Sequence, residues 1–325
     1  MASSISSLDS KKGADSLDDA LSDAEASVAV VAPPFAGREA VLDRAADRLG
    51  APTRVRFDTD TAVDEADTDG PVILDDCHHC YAHRIGGFDP LDRLLDRLAS
   101  SSGQTVTSWN RHSWNYLDAV RGLADDFGHV FTVPALSTDD VADVVGATTD
   151  DWPAFELPPD GRSFVTSVEY APSLPRSNRS VSVRVPTVDV DYVAARLQRR
   201  TPPTPEDLVF QRLARLADGN PGVATAIWTA CVDGRETITP DDIALPVDER
   251  LTVGDDAARV LGVAVPKERV ARAELSAVVP DVPLDRTLRT LADHGFVDIA
   301  EGVVRLRPGA LPSAIDSLER RRWLW

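Results

Sequence analysis

Lysine is nearly absent from this sequence of 325 residues, which contains 31 arginines but only three lysines, Lys11, Lys12 and Lys267. Glutamate is scarce in the same way, with 12 residues against 41 aspartates, and the formal net charge is −19. Short carboxylates hold water and cations at a surface, and molar salt screens their mutual repulsion within about 3 Å. We interpret the bias as adaptation to the high salt of a halophilic, haloarchaeal cell. The charge argues only weakly against nucleic acid as a partner, because such salt also weakens phosphate contacts.

Cysteine and long apolar runs are scarce as well. Three cysteines provide no disulfide framework and suit a reducing compartment. No stretch approaches the roughly 20 apolar residues of a membrane span, and the first residues have no apolar signal-peptide core. We therefore expect a cytoplasmic protein without a membrane span.

Predicted strands and helices alternate from residue 28 to residue 149. Before them, residues 1–27 are rich in Ser, Asp and Ala, and we expect a disordered acidic tail there. The predicted strands are 28–31, 53–57, 71–74, 104–108 and 129–133, and the predicted helices are 38–49, 89–100 and 114–127. Such alternation is typical of βαβ units and predicts an α/β domain over 28–149, with a mainly parallel sheet and helices on both faces.

Three segments follow this domain. Residues 150–190 are rich in proline and contain strand-like stretches at 163–170 and 181–185, which indicates an insertion or connector. Residues 191–250 are predicted to be helical, with helices at 191–199, 205–217 and 222–231. In 251–325, three short helices (255–262, 269–279 and 284–294) precede strands at 295–298 and 303–306. This order is typical of a winged-helix domain, here with a C-terminal tail.

The turn at residues 32–39, after the first strand, has the position of a phosphate-binding loop. In nucleoside triphosphatases the pattern G-x-x-x-x-G-K-[ST] surrounds the phosphates with N–H groups, and its lysine and hydroxyl contact phosphate and magnesium. Only Gly37 is retained here, since Ala32, Arg38 and Glu39 replace the first glycine, the lysine and the hydroxyl residue. A carboxylate in the first turn of a helix is stabilised by the helix dipole. Glu39 can therefore fill the anion site itself, with Arg38 compensating its charge; the alternative is an ordinary strand-to-helix turn.

Polar residues also end two other predicted strands. Asp75 and Asp76 follow an apolar strand, and Asn110 follows the next one. Ligands of α/β sheets bind at the carboxyl ends of parallel strands. We assign Asp75 to magnesium, Asp76 to polarising the attacking water and Asn110 to sensing a γ-phosphate. The alternatives are a chance pair in an Asp-rich chain and, at Asn110, a helix N-cap.

A cluster of cysteine and histidine follows the two acids, at Cys77, His78, His79, Cys80 and His83. These side chains are of the types that bind zinc. No second cluster completes a tetrahedral site, so we do not expect zinc and expect the loop to pack beside the acids.

Taken in order, these motifs resemble the AAA+/STAND group of P-loop ATPases. Residues 74–79 with 86–91 resemble the Walker B strand and the helix after it, and residues 108–110 resemble the sensor 1 strand. Residues 218–224 are similar to the G-N-P-G turn of the helical lid, although glycine and proline there also suit a plain turn between helices. A winged helix after the lid is similar to archaeal origin-recognition ATPases.

The resemblance implies an AAA+-like fold with a helical lid (191–250) and a winged helix, and ATP with Mg²⁺ as cofactors held near Gly37, Arg38, Glu39 and Asp75. The degenerate phosphate loop implies that hydrolysis is weak or lost. We predict a regulatory or scaffold protein that acts through protein partners. The alternatives are an active ATPase with an atypical loop and a winged-helix transcriptional regulator. DNA or partner contacts are assigned to Arg286, Arg289, Arg305 and Trp323.

Overall fold

The computed structural model describes residues 16–23, 26–50, 52–58, 70–101, 103–149, 151–157, 165–170, 183–188, 203–247 and 253–324. The chain forms two units. One comprises Met1–Ala135, Asn220–Val223 and Leu245–Trp325, and the other comprises Leu136–Gly219 and Ala224–Ala244.

A parallel sheet of five strands forms the centre of the first unit. Its strands are β1 (Ser27–Ala32), β2 (Thr53–Arg56), β3 (Val72–Asp75), β4 (Thr105–Asn110) and β5 (His129–Thr132). They lie in the order β2-β3-β4-β1-β5, and each neighbouring pair is parallel. The predicted α/β fold with a parallel sheet is confirmed.

Helices cover both faces of this sheet. They are α2 (Arg38–Leu49), α3 (Asp89–Ser100) and α4 (Arg111–Arg121), with a 3-10 turn at Leu123–Asp126. Because successive strand residues face opposite sides, Val30 packs in one apolar cluster with Leu42 of α2, and Val31 packs in the other with Leu91 of α3. Among the helices in the described ranges, none has the length and apolar character needed to span a bilayer.

Residues 16–23, which composition assigned to a disordered tail, form a short helix, α1 (Leu17–Ala20), that packs on the sheet. Leu17 and Ala20 are buried in the same cluster as Leu42. The Gln104 amide donates to the carbonyl oxygens of Leu21 and Asp23, at 3.2 and 2.8 Å. Three apolar side chains in an acidic stretch are thus sufficient to attach it to the core.

The described residues in the C-terminal part of the first unit form four α-helices and a second sheet. The helices are α8 (Asp255–Lys267), α9 (Arg272–Val278), α10 (Leu284–Asp293) and α11 (Leu311–Arg320), and the strands β10 (Arg269–Ala271), β11 (Val297–Ala300) and β12 (Val303–Leu306). The strands pair antiparallel in the order β10-β12-β11. Residues 269–271 begin this sheet, although the sequence predicted a helix from 269, and α11 occupies the predicted C-terminal tail.

The second unit contains α5 (Thr138–Gly146), α6 (Pro205–Ala217) and most of α7 (Pro221–Val232). Strands β6 (Ala154–Phe155) and β9 (Thr237–Ile238) pair in parallel, and β7 (Val165–Tyr170) and β8 (Val183–Val188) form an antiparallel pair. The predicted strand-like stretches of the proline-rich segment correspond to β7 and β8. The predicted helix at 191–199 lies outside the described residues.

Candidate functional site

The carboxyl ends of β1, β3 and β4 bring the predicted site residues together. Ala32 at the end of β1 is in register with Asn110 at the end of β4, and β3 pairs with the other side of β4. Arg38 begins α2 directly after the turn that follows β1. Its Nη2 lies 3.1 Å from Asp76 Oδ1, so the turn and the two acids share one edge of the sheet.

The turn at 33–37 is held by a second segment of the same unit. The Asn220 amide donates to Pro34 O at 2.7 Å, and Gly222 N donates to Phe35 O at 3.1 Å. A Cβ on Gly222 would lie 2.7 Å from both Cβ and O of Phe35, so this close approach requires glycine. Two prolines remove N–H donors from the turn, and the Asn-Pro-Gly segment occupies two of its carbonyl oxygens.

Asp76 is surrounded by three guanidinium groups. Its carboxylate lies 3.1 Å from Arg38 Nη2, 2.9 Å from Arg56 Nε and 3.1 Å from Arg269 Nη2. The residue is only 4% exposed. Burial alone would raise the pKa of Asp76, but the three arginines outweigh burial and lower it. Asp76 is therefore an ionised carboxylate whose two oxygens both face cations.

The two carboxylate oxygens of Asp75 also face protein side chains. Ser108 Oγ donates to Asp75 Oδ1 at 2.6 Å, and Asp75 Oδ2 lies 3.5 Å from Arg54 Nη2 and 3.7 Å from Arg56 Nε. A Mg²⁺ site requires carboxylate oxygens that face a metal and its water molecules. Here arginine and serine take those directions, and the arrangement does not fit Mg²⁺.

Arg38 is bridged to the C-terminal part of the unit by Glu268. Arg38 Nη1 donates to Glu268 Oε1 at 2.6 Å, and the Asn110 amide donates to the same oxygen at 3.0 Å. Burial would lower the pKa of Arg38, but the carboxylates of Glu268 and Asp76 outweigh burial and raise it. The carboxylate that contacts Arg38 from outside the sheet edge is thus Glu268, whereas the Glu39 side chain is exposed.

Asn110 has one of the two roles that the sequence left open, the helix N-cap. Its Oδ1 accepts from His112 N at 2.8 Å and caps α4, as the N-cap interpretation predicts. Its Nδ2 contacts Glu268 and also donates to Val265 O at 3.0 Å. The amide thus donates to a carboxylate of the same chain, and its assignment to a γ-phosphate stays a prediction.

In the Cys/His cluster, Cys77–His79 form a 3-10 turn after β3. Cys77, His78 and Cys80 are buried, and His79 and His83 are partly exposed. Burial raises the pKa of both Cys77 and Cys80, the latter to about 12, so the thiols stay protonated. Burial, followed by nearby cations or the neighbouring ring, lowers the pKa of His78 and His79 well below the usual value, and both are neutral. Within the described ranges, no group of three acidic, Cys or His side chains is arranged to hold a metal ion.

A cavity of about 190 Å³ adjoins Asp76 and the arginines that contact it, which we call the arginine cluster. Its walls include His79, Glu268, Arg269 and Arg305. Arg305 is exposed on β12 and is one of the residues that line this cavity. The remaining residues assigned to DNA or partner contacts, Arg286, Arg289 and Trp323, are exposed, and none of them lines the cavity.

Sequence reasoning missed four members of the cluster: Arg54, Arg56, Glu268 and Arg269. Arg54 and Arg56 alternate on β2, next to the strand that ends in Asp75, and this spacing was an available signal. Glu268 lies 230 positions after Arg38, and no local pattern connects the two.

No protein-family model matches the sequence, and a comparison with curated proteins finds no significant match. Among solved structures, the chain is similar to Cdc6p from Pyrobaculum aerophilum, with 13% identity over 91% of this chain and 88% of that one and a TM-score of 0.33. It is similar to a Walker-type ATPase of Pyrococcus abyssi, with 9% identity over 92% and 93% and a TM-score of 0.41. For the Orc1 protein of Aeropyrum pernix, solved in complex with DNA, the identity is 14% over 91% and 88% and the TM-score 0.31.

Proposed function

We propose that this protein is a regulatory or scaffold protein built on an AAA+/STAND-like domain that has lost efficient ATP hydrolysis. The domain over 28–149 carries a former nucleotide site at Gly37 and Arg38. A helical lid over 191–250 and a winged helix over 251–325 complete the architecture, with 150–190 as an insertion. The protein works in the high-salt cytoplasm of a halophile.

The arginine contacts of Asp75 and Asp76 carry this proposal. Hydrolysis of a nucleotide in this group needs one acid to hold Mg²⁺ and another to act on water. Arg38, Arg56 and Arg269 lie within 3.1 Å of Asp76, and Ser108 lies 2.6 Å from Asp75. A metal ion would have to displace ion pairs that are mostly buried, and the surrounding positive charge would oppose it.

The loop composition supports the same conclusion. Pro33 and Pro34 supply no N–H groups for phosphate oxygens, and Arg38 cannot replace lysine as a point charge on the phosphates. What remains is a cationic site at the start of a helix, which suits binding and not turnover.

Phosphate release and nucleotide binding, measured in molar KCl, test the proposal. We expect no Mg²⁺-dependent phosphate release above the buffer rate, and we expect Asp75→Ala to leave that rate unchanged. Asp47→Ala, an exposed aspartate on α2, is the matched control. Release that Asp75→Ala abolishes and Asp47→Ala preserves would establish the active-ATPase alternative.

Exposed arginines on the C-terminal elements favour examining DNA as a second partner. Arg286 and Arg289 lie on the exposed side of α10, and Asp285 and Asp293 lie on the same helix. The mixed charge suits a protein surface better than a phosphate backbone. We expect no sequence-specific retardation of DNA; specific retardation lost on Arg286→Ala would support the regulator alternative.

A further inference from the structure

The oxygen of Glu268 that contacts both Arg38 and Asn110 occupies the centre of the candidate site. Arg38 is the first residue of α2, and Asn110 ends the strand beside β1. A cation at a helix start and a neutral amide donor form an anion site. A guanidinium donates hydrogen bonds to carboxylate and phosphate oxygens in closely similar geometry.

We propose that Glu268 is an internal ligand that occupies a phosphate-accepting site formed by Arg38 and Asn110, and that a phosphate group binds there in exchange for it. This inference rests on the proposed function, since it identifies how the former nucleotide site is regulated.

The backbone of Glu268 supports a role for its side chain. The residue follows α8 with φ 60° and ψ −42°, in a region that favours glycine. Its N–H donates to Ala264 O at 2.7 Å, and its carbonyl accepts from Leu306 N at 2.8 Å. Glycine would satisfy these backbone bonds with less strain, so the contact of the carboxylate with Arg38 accounts for a glutamate at this position.

Charge also requires an anion at this point. The Arg38 side chain is 10% exposed, and its second carboxylate partner, Asp76, is shared with Arg56 and Arg269. Without Glu268, Arg38 would retain the ion pair with Asp76, whose charge is shared with two further guanidinium groups, and an anion from solution is expected to replace the missing charge. The cavity beside Glu268, with Arg305 at its wall, provides space for a phosphate-sized anion to enter.

Exchange of the Glu268 carboxylate for a phosphate would change contacts in the C-terminal part of the unit. Glu268 connects α8 to β10, and the next residue, Arg269, donates to Phe57 O and contacts Asp76. Release of the carboxylate therefore removes a contact that ties the α8–β10 junction to the sheet edge. Phosphate binding and the position of this junction are thereby coupled.

Isothermal titration with inorganic phosphate and with ATP, in molar KCl, tests the inference on the full chain. If Glu268 leaves less than about one tenth of wild-type molecules competent, Glu268→Ala will bind inorganic phosphate at least about tenfold more tightly than wild type. The matched control is Glu301→Ala, a second glutamate at positive φ (53°), exposed in the β11–β12 turn. It should bind phosphate as wild type does.

Two further variants keep the test decisive. Glu268→Gln retains the side-chain volume if the alanine variant fails to fold, and it should also gain phosphate affinity because it lacks the charge. Adding Arg38→Ala to either variant should abolish the gain, which locates the bound anion at Arg38. Unchanged phosphate affinity in a folded Glu268 variant, or an equal gain in Glu301→Ala, would overturn the inference.

The ATP titration separates this inference from the proposed function. If Glu268→Ala gains affinity for phosphate and no variant binds ATP, the internal ligand is supported and the nucleotide site is refuted. Equal ATP affinity in wild type and Glu268→Ala, together with unchanged phosphate affinity, would support the nucleotide site and refute the internal ligand.

Discussion

Replacement of Asp76 by alanine should be among the most damaging single changes at the sheet edge. Asp76 is 4% exposed and contacts Arg38, Arg56 and Arg269, whose side chains are 10%, 55% and 21% exposed. Removing one partner of a buried ion pair costs about 3–5 kcal/mol, because the other charge stays buried without compensation. Arg38 keeps Glu268 and Arg269 keeps Asp58 at 3.5 Å, so we place the loss at the lower end, about 3 kcal/mol.

The ion pair between Asp76 and Arg56 can also be removed by replacing the arginine. Arg56→Ala takes away a half-exposed cation and leaves Asp76 with two others, so its cost should be about 1 kcal/mol or less. The comparison thus separates loss of a contact from exposure of unpaired buried charge. Asp47→Ala, at the surface of α2, should change stability by no more than about 0.5 kcal/mol.

Urea unfolding in molar KCl, followed by circular dichroism, provides the free energies of unfolding for these three variants. Urea is preferred to guanidinium because it leaves the ionic strength unchanged. The reasoning is refuted if Asp76→Ala costs no more than Arg56→Ala, since Asp76 would then not be the common partner of the cluster.

Two other pairs of substitutions test the turn and the buried His112. Gly222→Ala should destabilise the protein by about 1–3 kcal/mol, because the added Cβ would overlap with Phe35. Gly262→Ala should stabilise it by about 0.5–1 kcal/mol, because Gly262 lies inside α8 and an added Cβ would be 3.9 Å from its nearest neighbour. Thermal unfolding of both variants measures the two effects. Burial lowers the pKa of His112 to about 4 in the folded protein. In the unfolded chain the same imidazole becomes protonated near pH 6.5, so protonation favours unfolding. Stability should therefore fall as the pH drops below about 6.5, with about 2 kcal/mol of the loss at pH 5 due to this residue. His112→Gln should remove that share of the loss and the exposed His294→Gln should not; equal losses in both would contradict the assignment.

Local signals explain why much of the sheet domain could be predicted from sequence. Helix α2 has the predicted bounds because Gly37 and Gly50, both in left-handed conformations, stand immediately before and after it. Gly37, Asp75 and Asn110 could be assigned to one site because the carboxyl ends of parallel strands meet at one edge of a sheet. Neither inference needed contacts between distant parts of the chain.

Tertiary contacts explain where prediction failed. Arg269–Ala271 has a composition that favours a helix, but pairing with β12 makes it a strand. Leu17 and Ala20 lie in an acidic stretch whose average composition predicts disorder, and their burial on the sheet outweighs that average. In both cases the deciding partner is too far along the chain for a local pattern to identify it.

The ion pairs of Arg38 explain why an arginine stands at this position. The resemblance to P-loop ATPases predicts a lysine at this position, whose ammonium would neutralise a triphosphate, and arginine departs from that prediction. In the structure, two different nitrogens of the guanidinium contact two carboxylates, Nη1 with Glu268 and Nη2 with Asp76. A lysine ammonium is a single point charge and cannot hold two acids in fixed directions from separate atoms. Arginine at position 38 therefore allows the sheet edge to be bridged to the C-terminal elements.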